Sequence, residues 1–264
     1  MRKLLAAIML LLAVSIVPFG NSLISEETST VYKTGEYLKY EVSFLGVTLG
    51  WITIDSEGVE EWNGKTVNKA SATMKSRDGI PFVDLYAEFE GWMDPSLSYS
   101  HHFASNTKDG SSWVYEQYDI NYDKKNIEYR KWRDKQLEEE DVIENNKRVV
   151  DGTTLFFIAR QYTNMKRSVT IPTLISNKIQ KTYINFHGKV EGVDLDAVDY
   201  EVKTLFFDGK ADWEGIYGLN GKFQGWFSAD EARIPIKAKM NVYVGNVDIS
   251  LVEWKRGGWQ PPKM

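Results

Sequence analysis

Alternation of apolar and polar side chains is the feature that most constrains how this chain can fold. In YLKYEVSF, residues 37–44, every second side chain is apolar: Leu38, Tyr40, Val42 and Phe44. A period of two residues is the pattern of a β-strand with one buried face. The pattern recurs along the chain, for example in GWITIDS, TVNKASATM, VDLYAEFEGWM, LSYSHHF, SSWVYEQYDINYD, IEYRKWRD, SVTIPTL, IQKTYINFHGKV, GKFQGWFS and VDISLVEW.

Short turn dipeptides separate many of these runs and indicate how the strands connect. Asn63-Gly64, Asp109-Gly110, Asp208-Gly209 and Asn220-Gly221 suit tight hairpin turns. Linkers this short leave no room for crossover helices, so the strands pair mostly antiparallel. A sheet of about a dozen strands must curl or split in two to bury its apolar face. The sequence therefore predicts a mainly β protein with a large, strongly curved antiparallel sheet, barrel-like or half-barrel, or alternatively a sandwich.

One segment has helical spacing instead. In GTTLFFIARQYTNM, apolar side chains recur at intervals of three and four residues. Asp151 or Thr153 can cap the N-terminus of a helix at this point. We predict one short helix from about residue 153 to 165, with its apolar face on the sheet.

The segment before this helix, KQLEEEDVIENNK, is highly charged. Charge runs are usually solvated. We predict an exposed, mobile connection or hairpin tip over residues 137–146, with a partner-binding acidic patch as the alternative.

The N-terminus has the organisation of an export signal. Arg2 and Lys3 precede an apolar run over residues 4–17, and small residues follow at positions 20–22. A membrane anchor would need about 20 apolar residues, which is longer than this run. We predict a cleaved signal peptide over residues 1–22.

Composition limits the partners and the chemistry of residues 23–264, which we expect to form a single all-β exported domain. The sequence has no Cys, which rules out disulfides, thiol nucleophiles and Cys-based zinc sites. Without residues 1–22 the chain has 30 basic and 37 acidic residues, a net charge of −7, and no basic arm suited to phosphate backbones. We predict a bacterial periplasmic protein with no nucleic-acid partner and no transmembrane segment after signal cleavage.

The residues that most often carry chemistry do not form a recognisable site. His101 and His102 are adjacent in a strand-like run, so their side chains point to opposite faces and cannot hold one metal together. His187 lies near a strand end. The phosphate-loop, nucleophile-elbow, zinc-protease and dinucleotide-binding motifs do not occur. We therefore expect no enzyme activity, and we assign no catalytic residue, no metal ligand and no cofactor.

The segment EGVDLDAVDYE concentrates carboxylates that could bind calcium, namely Asp194, Asp196 and Asp199. It lacks the glycine and the closing glutamate that a helix-loop-helix calcium site requires. A solvated turn is the preferred interpretation.

Aromatic residues are abundant and dispersed, with nine Trp, fourteen Tyr and twelve Phe. Dispersed aromatic side chains usually pack in the core and across strands. They could also line a cavity for an acyl chain or form a platform for sugar rings.

The stretch GWFSADEARIPIKAKM, residues 225–240, places three charged residues between two strand-like runs: Asp230, Glu231 and Arg233. Asp and Ser favour turns because their side chains accept hydrogen bonds from nearby backbone donors. Pro235 at the start of the next strand is tolerated at an edge or a bulge. We predict a hairpin turn here, with Arg233 close enough to pair with Asp230 or Glu231.

The order of these motifs resembles an exported bacterial family, domain of unknown function 3108. The resemblance covers nearly all of residues 23–264 and is carried by the segments GEYLKYEVSFLGVTLGWITI, DGTTLFFIARQY and FQGWFSADEARIPIKAKMNVYVGNVDISLVEW. The structural signature residues that match the family pattern are Gly35, Glu36, Leu38, Tyr40, Gly46, Gly50, Asp151, Trp226, Ser228, Asp230, Arg233, Pro235 and Gly245.

The resemblance implies a cell-envelope protein with a strongly curved antiparallel sheet, and it supplies no reaction. Such a fold is similar, by analogy only, to the periplasmic lipoprotein carriers, which hold acyl chains in a half-closed barrel. We expect a protein that binds an apolar or amphipathic, lipid-like ligand, such as a lipid or an envelope lipoprotein segment. No ligand-binding residue can be named.

Two other functions stay open. The first is a structural or protein-interaction component of the envelope with a filled core. The second is a glycan-active enzyme or a glycan binder. An interior void walled by Leu, Phe and Trp would favour lipid binding, and a filled interior would favour the first alternative. The glycan alternative requires facing carboxylates or coplanar exposed Trp rings.

Overall fold

A single antiparallel sheet dominates the computed structural model, which describes residues 30–80, 84–214, 220–241 and 245–264. The predicted signal peptide lies outside these residues. The strands are β1 Tyr37–Phe44, β2 Val47–Trp62, β3 Lys65–Ser76, β4 Tyr86–Met93, β5 Ser100–Asp109, β6 Ser112–Asn121, β7 Asn126–Arg133, β8 Gln136–Glu144, β9 Ser168–Ile175, β10 Lys178–Val193, β11 Val202–Glu214, β12 Asn220–Ser228, β13 Pro235–Asn241 and β14 Asn246–Lys255. Helix α1, Gly152–Tyr162, and a 3₁₀ turn, Thr163–Met165, lie between β8 and β9.

The order of the strands makes the sheet two meanders joined at its centre. It runs β8-β7-β6-β5-β4-β3-β2-β1-β14-β13-β12-β11-β10-β9, so the first strand pairs with the last. The prediction of a mainly β protein with a large antiparallel sheet is confirmed, with 14 strands in the described chain where about a dozen are expected from the pattern. The sheet is not closed, because β8 and β9 are its two ends.

The sheet curves around helix α1, as predicted. Phe157 packs with side chains from β1 to β3 and from β13 and β14, including Leu38 and Leu251. One residue later, Ile158 packs with side chains of β9 to β12, including Phe186. A single helix reaches the same face in both halves of the sheet only if the sheet wraps around it. The core therefore lies between the concave face and the helix.

A short extended segment before the helix links distant parts of the sheet. The backbone N–H of Ser100 in β5 donates to Val149 O at 2.9 Å. Val150 donates to Pro172 O at 3.0 Å and accepts from Leu174 N at 2.8 Å, both in β9. Strand β9 also packs against the other end of the sheet, because Leu174 contacts the cluster that contains Tyr118 of β6 and Tyr129 of β7.

The helix prediction is confirmed with small shifts of its ends. The helix starts at Gly152, directly after the predicted cap Asp151, whose carboxylate accepts from Thr153 N at 2.6 Å and Thr154 N at 3.0 Å. It ends at Tyr162, and the last predicted turn is the 3₁₀ turn over 163–165.

Several local predictions are wrong, among them that of His187, which lies in the middle of β10 and not near a strand end. The acidic segment is exposed, as predicted, but it forms strand β8 at the edge of the sheet instead of a mobile connection. Basic residues of the neighbouring strand offset its charge: Arg130 binds Glu140 at 2.8 Å and Lys131 binds Glu138 at 3.3 Å. Asp208-Gly209 and Asn220-Gly221 are not turns, because the first lies in the middle of β11 and the second pairs with β11 at the start of β12.

Gly209 shows why a turn dipeptide can occupy a strand. It pairs with Phe223 of β12, while Phe207 pairs with Gly225. The ring of each phenylalanine covers the glycine opposite, and a Cβ on Gly225 would lie 2.6 Å from the ring of Phe207. Reciprocal glycine–phenylalanine pairs let two strands bend strongly while their apolar face stays covered.

Replacing Gly209 by Ala is expected to lower the free energy of unfolding by about 2–3 kcal/mol, because the new Cβ would collide with the carbonyl oxygen of Tyr183 and with the ring of Phe223. Urea unfolding followed by Trp emission measures the effect. Gly152→Ala is the matched control, since open space surrounds Gly152 at the helix start, and it should be neutral or slightly stabilising. Equal stability of the two variants would contradict the packing argument.

Candidate functional site

A buried ion cluster, made of Glu36, Arg160 and Arg256, fixes helix α1 to the sheet. Arg160 donates to both carboxylate oxygens of Glu36, at 2.6 Å from Nη1 and 3.1 Å from Nη2. Arg256, in the segment after β14, also donates to Glu36 and to the carbonyl of Val31. Glu36 is 2% exposed and Arg160 is fully buried. Three segments far apart in sequence are thereby joined at one carboxylate.

The electrostatics of this cluster follow from burial. Burial lowers the pKa of Arg256; repulsion from Arg160 adds to this effect and attraction to Glu36 opposes it. Tyr40 lies nearby, and its burial raises the pKa of the phenol well above its ordinary value while Arg160 acts in the opposite direction. The charges are paired and hydrogen-bonded, which is the condition under which charged groups can be buried.

The N-terminus of helix α1 is held by Asp151. Beyond its two capping bonds, this fully buried carboxylate accepts from Ser100 Oγ at 2.5 Å and from Thr154 Oγ1 at 2.7 Å. Thr153 packs against Gly91 of β4, where a Cβ would lie only 2.9 Å away. The cap therefore also attaches the helix to β4 and β5.

The C-terminal end of the helix is held by the turn between β12 and β13. Asp230 Oδ1 accepts from Ser228 Oγ at 2.7 Å and from the backbone N–H groups of Ala232 and Arg233 at 3.1 Å, as predicted for a turn. The Arg233 side chain is buried and donates to Gln161 O at 3.1 Å. In the same turn, Ala232 O accepts a hydrogen bond from Arg160 at 2.9 Å. The segment with the three charged residues is therefore a turn that also binds the C-terminal end of the helix.

The remaining signature residues shape the strands. Gly35 has a left-handed φ of 78° and donates to Ser56 O at 2.7 Å. A side chain on Gly50 would collide with the Lys75 backbone. Pro235 lies at a bulge, because Phe227 pairs with Pro235 while Trp226 pairs with Lys237. Trp226 donates to Glu191 at 2.6 Å. The structure therefore brings Glu36, Tyr40, Asp151, Ser228, Asp230 and Arg233 around the helix, and places Gly35, Gly50, Trp226 and Pro235 at turns, bulges or the outer face.

The two adjacent histidines contact different groups, as predicted from strand geometry. His102 Nδ1 lies 2.7 Å from Asp119 Oδ1, and its ring stacks on Trp62 at 4.2 Å. His101 Nε2 lies 3.7 Å from Asp94 Oδ2. Partial burial acts to raise the pKa of Asp94, but the nearby His101 and hydrogen bonds from Ser96 outweigh it and hold the pKa well below the ordinary value.

The described residues contain no group of three His, Asp or Glu side chains arranged to hold a metal. The segment over 194–201 is an irregular turn, in which Val198 N donates to Leu195 O at 3.0 Å. No helix in the described chain has the length and hydropathy needed to cross a bilayer.

An open groove of about 520 Å³, lined by both polar and aromatic side chains, lies on the outer face of β10 to β14. Phe207 and Ala211 of β11 face the core, so Asp208 and Lys210 face outward. We name this feature the outer groove, and the side chains that define it are Tyr183, Asn185, Asp208, Lys210, Lys222, Gln224, Lys239, Asn241 and Asn246. The sequence did not reveal it, because its residues come from five strands and form no motif.

Asp208 of β11 is one of the side chains that line the outer groove. Its carboxylate accepts from Asn185 Nδ2 at 2.6 Å and lies 2.6 Å from His187 Nε2. Burial acts to raise the pKa of Asp208, and these hydrogen bonds lower it below the ordinary value. Asp208 is the one carboxylate among the described residues that line the groove. The groove therefore lacks the paired carboxylates of a glycosidase.

A second, smaller concavity of about 400 Å³ lies on the outer face near β4 and β6. Tyr86 and Trp113 form part of its wall and meet edge-on at 81°. The neighbouring Tyr115–Trp132 pair is tilted by 44°. These exposed pairs do not form the coplanar platform that the glycan alternative requires.

Substituting Glu36 by Gln is expected to destabilise the protein by about 3–5 kcal/mol, because it leaves two arginines buried without a counter-charge. Chemical unfolding at pH 7 measures the change. Glu253→Gln, which breaks the exposed contact with Lys39 at 4.0 Å, is the control and should be indistinguishable from wild type. A small effect at Glu36 would show that the cluster does not hold the helix.

Asp94→Asn is expected to lower stability at pH 7 by about 1–3 kcal/mol, through loss of charge-assisted hydrogen bonds. Because the folded-state pKa of Asp94 is depressed, its contribution is fully present above the unfolded pKa of about 3.9 and is lost as the pH falls below it. Unfolding curves at pH 7 and pH 3 should show the gap between wild type and variant narrowing. A gap independent of pH would contradict this assignment, and Asp123→Asn in an exposed turn serves as control.

Comparisons with solved structures show proteins of similar fold. A crystal structure of a β-barrel-like protein of domain of unknown function DUF1849 from Brucella abortus matches with a TM-score of 0.57 at 8% identity, covering 85% of this chain and 98% of that chain. At this identity the match shows a shared fold alone.

Two weaker matches have TM-scores of 0.35 at 8% identity, which carry no argument. One is a candidate exported protein with a YmcC-like fold from Bacteroides fragilis, covering 86% of this chain and 98% of that chain. The other is a candidate lipoprotein from Parabacteroides distasonis, covering 85% and 97%.

The family comparison agrees with the order of motifs in the sequence. No curated protein matches the chain. The sequence profile of the family described as protein of unknown function (DUF3108) matches residues 39–252, which is most of the chain. The resemblance is therefore confirmed, and the chain belongs to the DUF3108 family.

Proposed function

We propose that this chain is a non-enzymatic protein of the bacterial cell envelope, in which the curved sheet is a rigid, filled scaffold that interacts with other molecules through its outer face. Burial of the concave face beneath helix α1 is the observation that carries the proposal. Leu38, Phe157, Ile236 and Leu251 are all fully buried where the helix meets the sheet. Among the alternatives that the sequence left open, this favours the structural or interaction component over a carrier that encloses an acyl chain.

The anchoring of helix α1 supports the same proposal. A helix that acts as a lid over a lipid cavity must move aside when the ligand enters. Here Asp151 holds its start, and Arg160 and Arg233 hold its C-terminal end, each through buried hydrogen bonds. Breaking them together would leave several buried polar groups unsatisfied, which opposes such a movement.

The absence of catalysis is part of the proposal and rests on the chemistry of the described surface. Asp208 is the one acid among the described residues that line the outer groove, so this groove lacks the pair of facing carboxylates that glycoside hydrolysis uses. The signal-like N-terminus and the complete lack of Cys support an exported, bacterial location.

Native mass spectrometry after mild extraction tests the proposal, together with quenching of Trp emission by a long-chain fatty acid that carries a nitroxide. Wild type should have the mass of the polypeptide alone and show no saturable quenching. Phe157→Ala opens a benzene-sized cavity in the core, which is too small for the fatty-acid probe, so this variant should also show no saturable quenching. A stoichiometric lipid bound to wild type, or saturable quenching, would contradict the proposed scaffold and support a carrier that encloses an acyl chain.

A further inference from the structure

We infer that the outer groove binds a saccharide that carries a phosphate or carboxylate group. The inference rests on the proposed function, because it places the ligand on the outer face of the sheet. The volume of the outer groove, about 520 Å³, falls in the range of small-ligand sites. The groove is lined by three ammonium groups and four side-chain amides, together with one carboxylate, one tyrosine, one phenylalanine and one glycine.

The lysines of the groove favour an anionic ligand. Lys210 and Lys222 lie directly opposite each other on β11 and β12. Like charges in this arrangement repel and destabilise a sheet. The hydrogen bond to Asp212 raises the pKa of Lys210, so this ammonium is charged at neutral pH. An anion bound between the two strands would relieve the repulsion.

Neighbouring carboxylates pair with two of the three lysines that line the groove. Asp212 binds Lys210 at 2.6 Å, and Asp248 lies 3.6 Å from Lys239. Asp208 is engaged by Asn185 and His187. In the part of the chain that the structure describes, Lys222 forms no ion pair. Lys222 is therefore the ammonium best placed to meet an anionic group.

The amides of the groove favour a hydroxyl-rich ligand. Gln224 pairs with Lys239 across β12 and β13, and Asn241 pairs with Asn246 across β13 and β14. An amide side chain both donates and accepts, so a row of amides matches the hydroxyl groups of a sugar ring. The Asn185–Asp208 pair adds further acceptors on the same face. A simple anion such as inorganic phosphate would leave most of these groups unused.

Binding is tested by isothermal titration of the full-length mature protein with glucose 1-phosphate, glucuronate and glucose. We expect saturable binding of the two anionic sugars, weakened by salt as for a charge-assisted contact, and much weaker binding of neutral glucose. Lys222→Gln and Gln224→Ala should each weaken the anionic sugars by about fivefold or more. Lys124→Gln, which makes the same charge change in an exposed turn remote in sequence, should leave the affinity unchanged.

A second arm distinguishes a glycolipid headgroup from a free sugar. Lipopolysaccharide micelles that bind wild type and not Lys222→Gln would assign the headgroup as the source. Binding of glucose 1-phosphate without lipopolysaccharide would assign a free saccharide. Equal binding of phosphatidylglycerol vesicles by wild type and Lys222→Gln, with no sugar binding, would overturn the inference. These results test only the outer groove. The proposed scaffold is tested separately, by quenching of Trp emission with the fatty-acid probe.

Discussion

The carboxylate of Glu36 is the interaction on which the rest of the structure depends. It is buried at the start of β1, receives two hydrogen bonds from Arg160 in the helix, and is bound by Arg256 beyond β14. Burying three charges is costly unless each is paired with good geometry. The two-bond contact from Arg160 fixes both the position and the rotation of the helix. The same carboxylate ties the central strand to the segments that precede and follow the sheet.

Curvature of the sheet is the second constraint, and it follows from the helix. Phe157 and Ile158 are neighbours in sequence, and Phe157 packs on the central strands of the sheet while Ile158 packs on β9 to β12. The sheet can meet both only by wrapping around them. Paired Phe207–Gly225 and Gly209–Phe223 contacts keep the core covered along β11 and β12. The outer face of those same strands holds the groove beside Lys222.

Local pattern predicted the elements wherever one physical signal was dominant. Alternation in residues 37–44 and helical spacing after Asp151 each correspond to an observed element. The prediction of a mobile connection over 137–146 was wrong because Arg130 and Lys131 on the neighbouring strand pair with carboxylates of this segment. Local composition does not reveal such pairing. The prediction of a turn at Asp208-Gly209 was wrong for a related reason, namely a contact from another strand. A glycine that usually marks a turn is here covered by a ring from another strand.

The sequence by itself determined the class of fold, the position of the helix and the family, because these depend on period, turn chemistry and the order of short motifs. It also indicated that Asp230 makes a turn. Only the tertiary structure decided that Glu36 meets Arg160, that Arg233 binds the helix, and that Lys222 faces an open groove. Glu36 and Arg160 are 124 residues apart, and Arg256 is 220 residues from Glu36. Contacts over such distances depend on how the sheet curves, and that curvature is set by packing of the whole chain instead of by any local pattern.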